Sequence, residues 1–214
     1  MQQLIDALSS RRYPVLTYLP ESSERLELTG TVVANWVYKT TSLFAEAGVG
    51  PDLGVGIVLD ETGPLHWRAL AAMLAAFGLD APVALLGADS EPPEAEWVAF
   101  ADESHAADEI TTEADEVFVY AAPALALAAE APEGCIDFNS EVRAHPDVCP
   151  IPGTQISLTL PRGEQVASDS REVPTASGTE LETTGIPVDG EELAAVLAAL
   201  VAGTVTLSGP AVSM

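Results

Sequence analysis

With 214 residues, 48% of them apolar and only 6% aromatic, the chain is long enough to bury a core of its own, built mainly from Ala, Val and Leu. Its 33 acidic residues against 8 Lys and Arg give a formal net charge of −25. Such a field repels phosphate backbones and anionic lipid headgroups, which argues against nucleic acid and membrane-surface partners. A basic partner stays open, although an acidic surface needs none to explain it, because like charge alone keeps a protein dispersed.

The chain opens on a short amphipathic helix carrying Leu4, Ile5 and Leu8. Alternating residues then predict a β-hairpin, with Val15, Thr17 and Leu19 on one arm and Arg25-Leu26-Glu27-Leu28 on the other, across Glu21-Ser22-Ser23-Glu24. Thr29 is a good N-cap for a helix whose apolar positions Val32, Val33, Trp36, Val37, Thr40, Leu43 and Phe44 keep helical spacing up to Gly48. Residues 54–59 form a continuous Val- and Ile-rich run, the mark of a parallel strand buried on both faces. Pro64 is placed in the first turn of a helix over residues 65–77 that stops at Gly78, and residues 82–86 give the next strand.

Further strands are expected at residues 96–100 and 116–121, separated by an acidic stretch, and a helix at 139–144. Three prolines between Pro146 and Pro152 mark the best boundary in the chain. Beyond it come a strand at 155–160, a polar loop region, a helix at 191–201 and a closing strand at 204–207. The two cysteines, Cys135 and Cys149, make no disulfide framework, and the N-terminal residues lack the pattern of a signal peptide, so the expected compartment is the cytoplasm.

Few motifs carry chemistry. Gly54 and Gly56 imitate the start of a dinucleotide fingerprint, but they lie inside a strand and the third glycine position holds Leu59, so close packing accounts for them better. Lys39, the sole lysine, sits on the first long helix, where a solvated face is its expected place, and no Walker-type loop precedes it. His66, His105 and His145 are scattered outside any zinc-hydrolase or serine-hydrolase pattern. Cys135, His145 and Cys149 have ligand chemistry without the spacing of a zinc module, and no metal is expected. Acidic pairs such as Asp60/Glu61 and Asp102/Glu103 could act as acid and base, yet adjacent pairs arise by chance in so acidic a chain. The Thr175-Ala176-Ser177-Gly178-Thr179 stretch has the hydroxyls and glycine of a loop whose amides can cradle phosphate.

The succession of hairpin, Leu28-Thr29 helix start, Ala47-Gly48-Val49-Gly50-Pro51-Asp52, strand, Leu65-His66-Trp67 helix, Ala76-Phe77-Gly78 and strand resembles the opening of the adenylate-forming enzymes. These comprise acyl-CoA synthetases, luciferases and peptide-synthetase adenylation domains. The chain is most similar to a small actinobacterial group of shortened, uncharacterised homologues. The resemblance is strongest from Tyr13 to Leu86, extends to Cys149, and returns at Leu193 to Leu207.

It implies an α/β fold with a doubly wound, mainly parallel sheet, flanking helices and an N-terminal hairpin. Residues 1–149 would form the N-terminal subdomain, and 150–214 a shortened second portion packing on it. The resemblance also implies a phosphate loop rich in Ser, Thr and Gly and ending in Pro-Lys-Gly. In the matching place stands Pro161-Arg162-Gly163-Glu164, without the hydroxyls or the lysine. Ser177, Gly178 and Thr179 are the candidate cofactor-binding residues, but Glu180 and Glu182 follow and would repel a triphosphate. The lid that supplies a catalytic lysine has no counterpart in the sequence.

Adenylyl transfer is mostly charge stabilisation by cations, so the expectation is a non-catalytic remnant without cofactor. It would act as an interaction or regulatory module through a protein partner or a second copy of itself. The alternatives are a nucleotide- or acyl-binding protein, or one half of a split ligase. A hydrolase built on scattered acids and histidines ranks last.

Overall fold

A computed structural model of the chain describes residues 1–20, 25–60, 63–172 and 180–209. Helix α1 (Gln2–Ser9) buries Leu4, Ile5 and Leu8. It leads into the antiparallel pair β1 (Pro14–Leu19) and β2 (Leu26–Thr29), in which Tyr18 faces Leu26. Thr29 ends β2 and caps α2 (Gly30–Glu46) by accepting from the Val32 N–H at 3.3 Å. The helix terminates as the sequence predicts, with Gly48 at φ +85°, a conformation that costs glycine nothing.

Next come β3 (Gly54–Val58), α3 (Trp67–Phe77), β4 (Val83–Leu86), β5 (Trp97–Asp102), the short α4 (Glu109–Thr112), β6 (Glu116–Tyr120), β7 (Ile136–Asp137) and α5 (Phe138–Glu141). A single 3₁₀ turn over Val142–Ala144 extends α5 across the rest of the helix predicted there. The remaining elements are β8 (Gln155–Thr159), β9 (Gln165–Asp169), β10 (Glu180–Thr183), α6 (Gly190–Ala202) and β11 (Thr204–Ser208).

The described strands form two sheets. The larger has the order β7-β6-β5-β3-β4-β8-β9. It is parallel throughout except for β9, which pairs antiparallel with β8 at one edge. This is the α/β, mainly parallel architecture expected from the sequence. The smaller sheet has the order β10-β11-β1-β2, with β11 parallel to β1. The N-terminal hairpin is therefore half of a second sheet completed by the far end of the chain. Arg11 reinforces that closure, because its buried guanidinium donates to the Leu200 and Gly203 carbonyls at the C-terminal end of α6, where the helix dipole favours a cation.

Helix α3 occupies the centre. Every one of its residues is buried, as an all-round apolar helix must be, and it packs on β3, β4, β5, β8 and α2. Phe77 on this helix and Phe44, Phe100, Phe118 and Phe138 of the same core have no exposed surface, each worth about 1.5–3 kcal/mol of burial. A smaller apolar cluster on the other face of the sheet, Ala84, Leu86, Trp97, Ala99, Val117 and Val119, is covered by Ile110 and residues near Cys135.

Two expectations need correction. Pro64 lies outside α3: His66 is the N-cap, so the proline precedes the helix instead of occupying its first turn. The polar stretch after residue 160 contains the strands β9 and β10, whose side chains stay half-exposed or exposed and thus lack the apolar alternation that announces a strand. Among the described residues no helix is long and apolar enough to cross a membrane.

The glycines of β3 are packing residues. A Cβ on Gly56 would lie 2.4 Å from the Trp97 ring. Gly56→Ala is therefore expected to destabilise the protein by about 1–3 kcal/mol through overpacking, and to lower the melting temperature by roughly 2–4 °C per kcal/mol, measured by circular dichroism.

Candidate functional site

The chain places β4 on one side of β3 and then crosses to place β5 on the other. In open α/β sheets the crevice at the carboxyl ends of strands beside such a reversal is the usual ligand position. Here a cleft of about 370 Å³ lies there. Asp60 follows the end of β3, while Asp102 and Tyr120 are the last residues of β5 and β6. These three line the cleft together with Tyr18 of β1 and His66, the N-cap of α3. Of the adjacent acidic pairs, Asp102 and Glu103 part in space: Asp102 shares the cleft with Asp60, while Glu103 accepts from the Glu130 N–H at 2.7 Å, and Glu61 lies outside the described residues.

His66 is 6% exposed. Its ring centroid lies 5.0 Å from that of Tyr18 and 4.8 Å from that of Tyr120. Nδ1 accepts from the Arg68 N–H at 3.1 Å, so the ring proton of the neutral form belongs on Nε2. Among the described residues Nε2 makes no well-formed hydrogen bond, with the Ala122 carbonyl as its near acceptor. Burial, and then the nearby Arg68 guanidinium, push the imidazole down to about 3, offset only in part by the Ala122 carbonyl and Asp102. At neutral pH His66 is an uncharged donor.

Arg68, 1% exposed, builds the wall beside it. Nη1 donates to the Ala121 and Pro123 carbonyls at 3.1 and 3.2 Å, and Nη2 to the Ala126 carbonyl at 2.9 Å. The guanidinium lies 4.6 Å from the centre of the Trp67 ring. Trp67 Nε1 donates to Ala124, and Asn139 bridges Ala126 and Ala121. Burial lowers the guanidinium to about 10, partly offset by Tyr120 and Tyr18, so it keeps its charge at neutral pH. Leu125 and Leu127, on the segment so held, stay 73% and 69% exposed.

Asp102 Oδ1 accepts from the backbone N–H groups of Ser104 and His105, from Ser104 Oγ at 2.6 Å and from His105 Nδ1 at 2.8 Å. Burial alone would raise its pKa, but these bonds hold it below the ordinary carboxylate value. Ser104 Oγ meets the same His105 nitrogen, at 3.1 Å. A nucleophile relay needs the two ring nitrogens on different partners, so this trio is a turn and no hydrolase triad.

The segment matched to a phosphate loop is a tight hairpin between β8 and β9. Leu160 N–H donates to Glu164 O and Gly163 N–H to Leu160 O, each at 2.8 Å, with Gly163 at φ +82°. The groove beside it, about 680 Å³, sets Asp89, Glu91 and Glu94 against Arg162. Ser177, Gly178 and Thr179 lie outside the described residues. Lys39 is not on a solvated face: it donates to the His145 carbonyl and meets Asp147 at 3.1 Å. Cys149 Sγ donates to the Tyr38 carbonyl, and Cys135 packs in the smaller apolar cluster.

No protein-family model matches the chain. A TIGR03089 family protein of Mycobacterium tuberculosis is 31% identical over 144 residues, covering 63% of this chain and 54% of that protein. The chain thus spans about half the length of the curated relative it matches. Among solved structures, an acyl-CoA synthetase of Brucella canis aligns with 97% of this chain and 43% of its own, at 17% identity and a TM-score of 0.67. The acetoacetyl-CoA synthetase of Streptomyces lividans aligns with 96% of this chain and 37% of its own, at 16% identity and a TM-score of 0.70. An anthranilate CoA ligase in complex with anthranoyl-AMP gives 14% identity and a TM-score of 0.63. The resemblance seen in the sequence holds for the fold, which is that of the N-terminal portion of adenylate-forming enzymes.

Two outcomes follow from the geometry. Arg68→Met removes the donor that three carbonyls of the 121–126 segment share, although Pro123 and Ala126 keep the Ala126 N–H and Asn139 Nδ2, and should cost about 2–4 kcal/mol in denaturant unfolding, with faster amide hydrogen exchange in that segment. His66 binds its proton more weakly folded than unfolded, so its contribution to stability is complete above pH 6.5 and declines on acidification. The decline should be about 1.4 kcal/mol per pH unit between 6.5 and 3. His66→Asn keeps a helix-capping oxygen, and subtracting its pH–stability curve from that of the native chain should isolate this slope.

Proposed function

We propose that this chain, built on the adenylate-forming fold, is a non-catalytic version of it that serves as an interaction or regulatory module. The observation that carries the reading is the β8–β9 turn. Its amides at Leu160 and Gly163 are bonded to the turn's own carbonyls, whereas a phosphate cradle requires several backbone N–H groups converging on the ligand. The carboxylates Asp89, Glu91 and Glu94 in the adjoining groove add repulsion where a triphosphate would need cations. The exposed Leu125 and Leu127, on a segment fixed from beneath by Arg68, Trp67 and Asn139, favour a surface that meets another protein.

A second reading is supported by the cleft at the ends of β3, β5 and β6: a small molecule bound without activation. The purified chain, incubated with ATP, magnesium and a panel of carboxylic acids, is expected to release neither AMP nor pyrophosphate. ATP, AMP and coenzyme A should leave its melting temperature unchanged, whereas a ligand at 100 times its dissociation constant adds about 2.7 kcal/mol. Sustained pyrophosphate release in a coupled assay would overturn the non-catalytic reading.

A further inference from the structure

The β3–β5–β6 cleft has a chemistry of its own, opposite to that of phosphate or carboxylate recognition. Asp60, exposed, stands at its mouth, and Asp102 is buried beyond it. Tyr18 and Tyr120, both nearly buried, supply ring surface. At the floor is His66, more than nine-tenths buried, whose Nε2–H makes no well-formed hydrogen bond among the described residues and has the Ala122 carbonyl of the cleft wall as its near acceptor. No Lys or Arg lines the cleft among the described residues. The nearest cation by sequence, Arg68, is committed to the carbonyls of Ala121, Pro123 and Ala126. The positive end of α3 reaches the same cleft, but the Arg68 N–H in its first turn is already capped by His66 Nδ1, and two carboxylates oppose any anion there.

We infer that this cleft binds a small organic ammonium ion that also carries a hydroxyl or carbonyl oxygen. The ammonium group sits toward Asp60 and Asp102, the oxygen accepts from His66 Nε2–H, and the carbon skeleton lies against Tyr18 and Tyr120. Each part answers a different requirement. Carboxylates beside aromatic faces attract a cation and repel an anion. A buried N–H that reaches no acceptor in good geometry is costly, and a ligand oxygen placed better than the Ala122 carbonyl reduces that cost. The volume, about 370 Å³, is within the range of small-molecule sites. This goes beyond the non-catalytic reading and stands apart from it: ATP turnover by the chain would overturn that reading and leave the charge preference of this cleft untouched.

Four matched probes test the inference by isothermal titration calorimetry at pH 7: 2-amino-1-phenylethanol, phenethylamine without its hydroxyl, the uncharged 1-phenylpropan-1-ol, and the anion mandelate. The amino alcohol is expected to bind tightest, phenethylamine and 1-phenylpropan-1-ol each about tenfold more weakly, a difference of about 1.4 kcal/mol, and mandelate not at all. Asp60→Asn, its folding checked by circular dichroism, should weaken both amines about tenfold and leave the neutral alcohol unchanged. His66→Asn, its folding checked by circular dichroism, should abolish the preference for the amino alcohol over phenethylamine while keeping the preference for amine over alcohol. Mandelate binding as tightly as the amino alcohol, no saturable binding of either amine by the folded chain, or an Asp60→Asn protein with native amine affinity would each overturn the proposal.

Discussion

A single buried cation organises the centre of this molecule. Arg68 lies on α3, the helix enclosed on every side, and its guanidinium donates to backbone carbonyls. Moving a guanidinium out of water costs several kcal/mol unless other dipoles replace the hydration. Here the carbonyls of the segment after β6 do so, with the Trp67 ring beneath. The dependence is mutual. The segment has no helix or strand of its own and takes its conformation from the ion it solvates. Ala122 and Pro123, held in this way, form one wall of the cleft, and burial, followed by the charge behind that wall, keeps His66 neutral.

The electrostatics of the surface and of the cleft share a sign. Two unit charges 4 Å apart interact by about 4 kcal/mol at the effective dielectric constant of a protein surface. Asp60 and Asp102 in one cleft, and Asp89, Glu91 and Glu94 in the groove by the β8–β9 turn, therefore weigh heavily against a polyphosphate. The net charge of −25 raises the same barrier at longer range, where salt weakens it. Both places at the strand ends thus carry the sign of the surface as a whole.

Periodic segments were legible in the sequence because burial imposes period. Thr29 as cap, Gly48 as stop, the glycines of β3 and the parallel strands all carry signals that depend only on near neighbours. β9 and β10 were not legible, since edge strands with wet side chains lose the alternation, and neither was the joining of β1 to β11, which no local pattern encodes. The cleft residues were visible one at a time. Asp60 and Asp102 read as members of chance pairs with their sequence neighbours, and only the topology showed that Asp60 just after β3 and Asp102 at the end of β5 meet at the same crevice. Arg68 carries no local signal of burial in the sequence. Its interior place follows from α3 being covered all round, which is a fact of tertiary packing.

The pairing of β1 with β11 joins Leu16 to Val205 and Tyr18 to Leu207. On the ribosome, at roughly 5–20 residues per second, the first hairpin must wait about ten seconds or more for its parallel neighbour to be synthesised. Loop closure over so long a separation is slow in its own right. During that interval one edge of β1, and the apolar side chains of α1 that will meet α6, lack the cover they have in the finished protein. The smaller sheet is thus a late seal on the molecule, and the nascent chain is most exposed to mispairing before it closes.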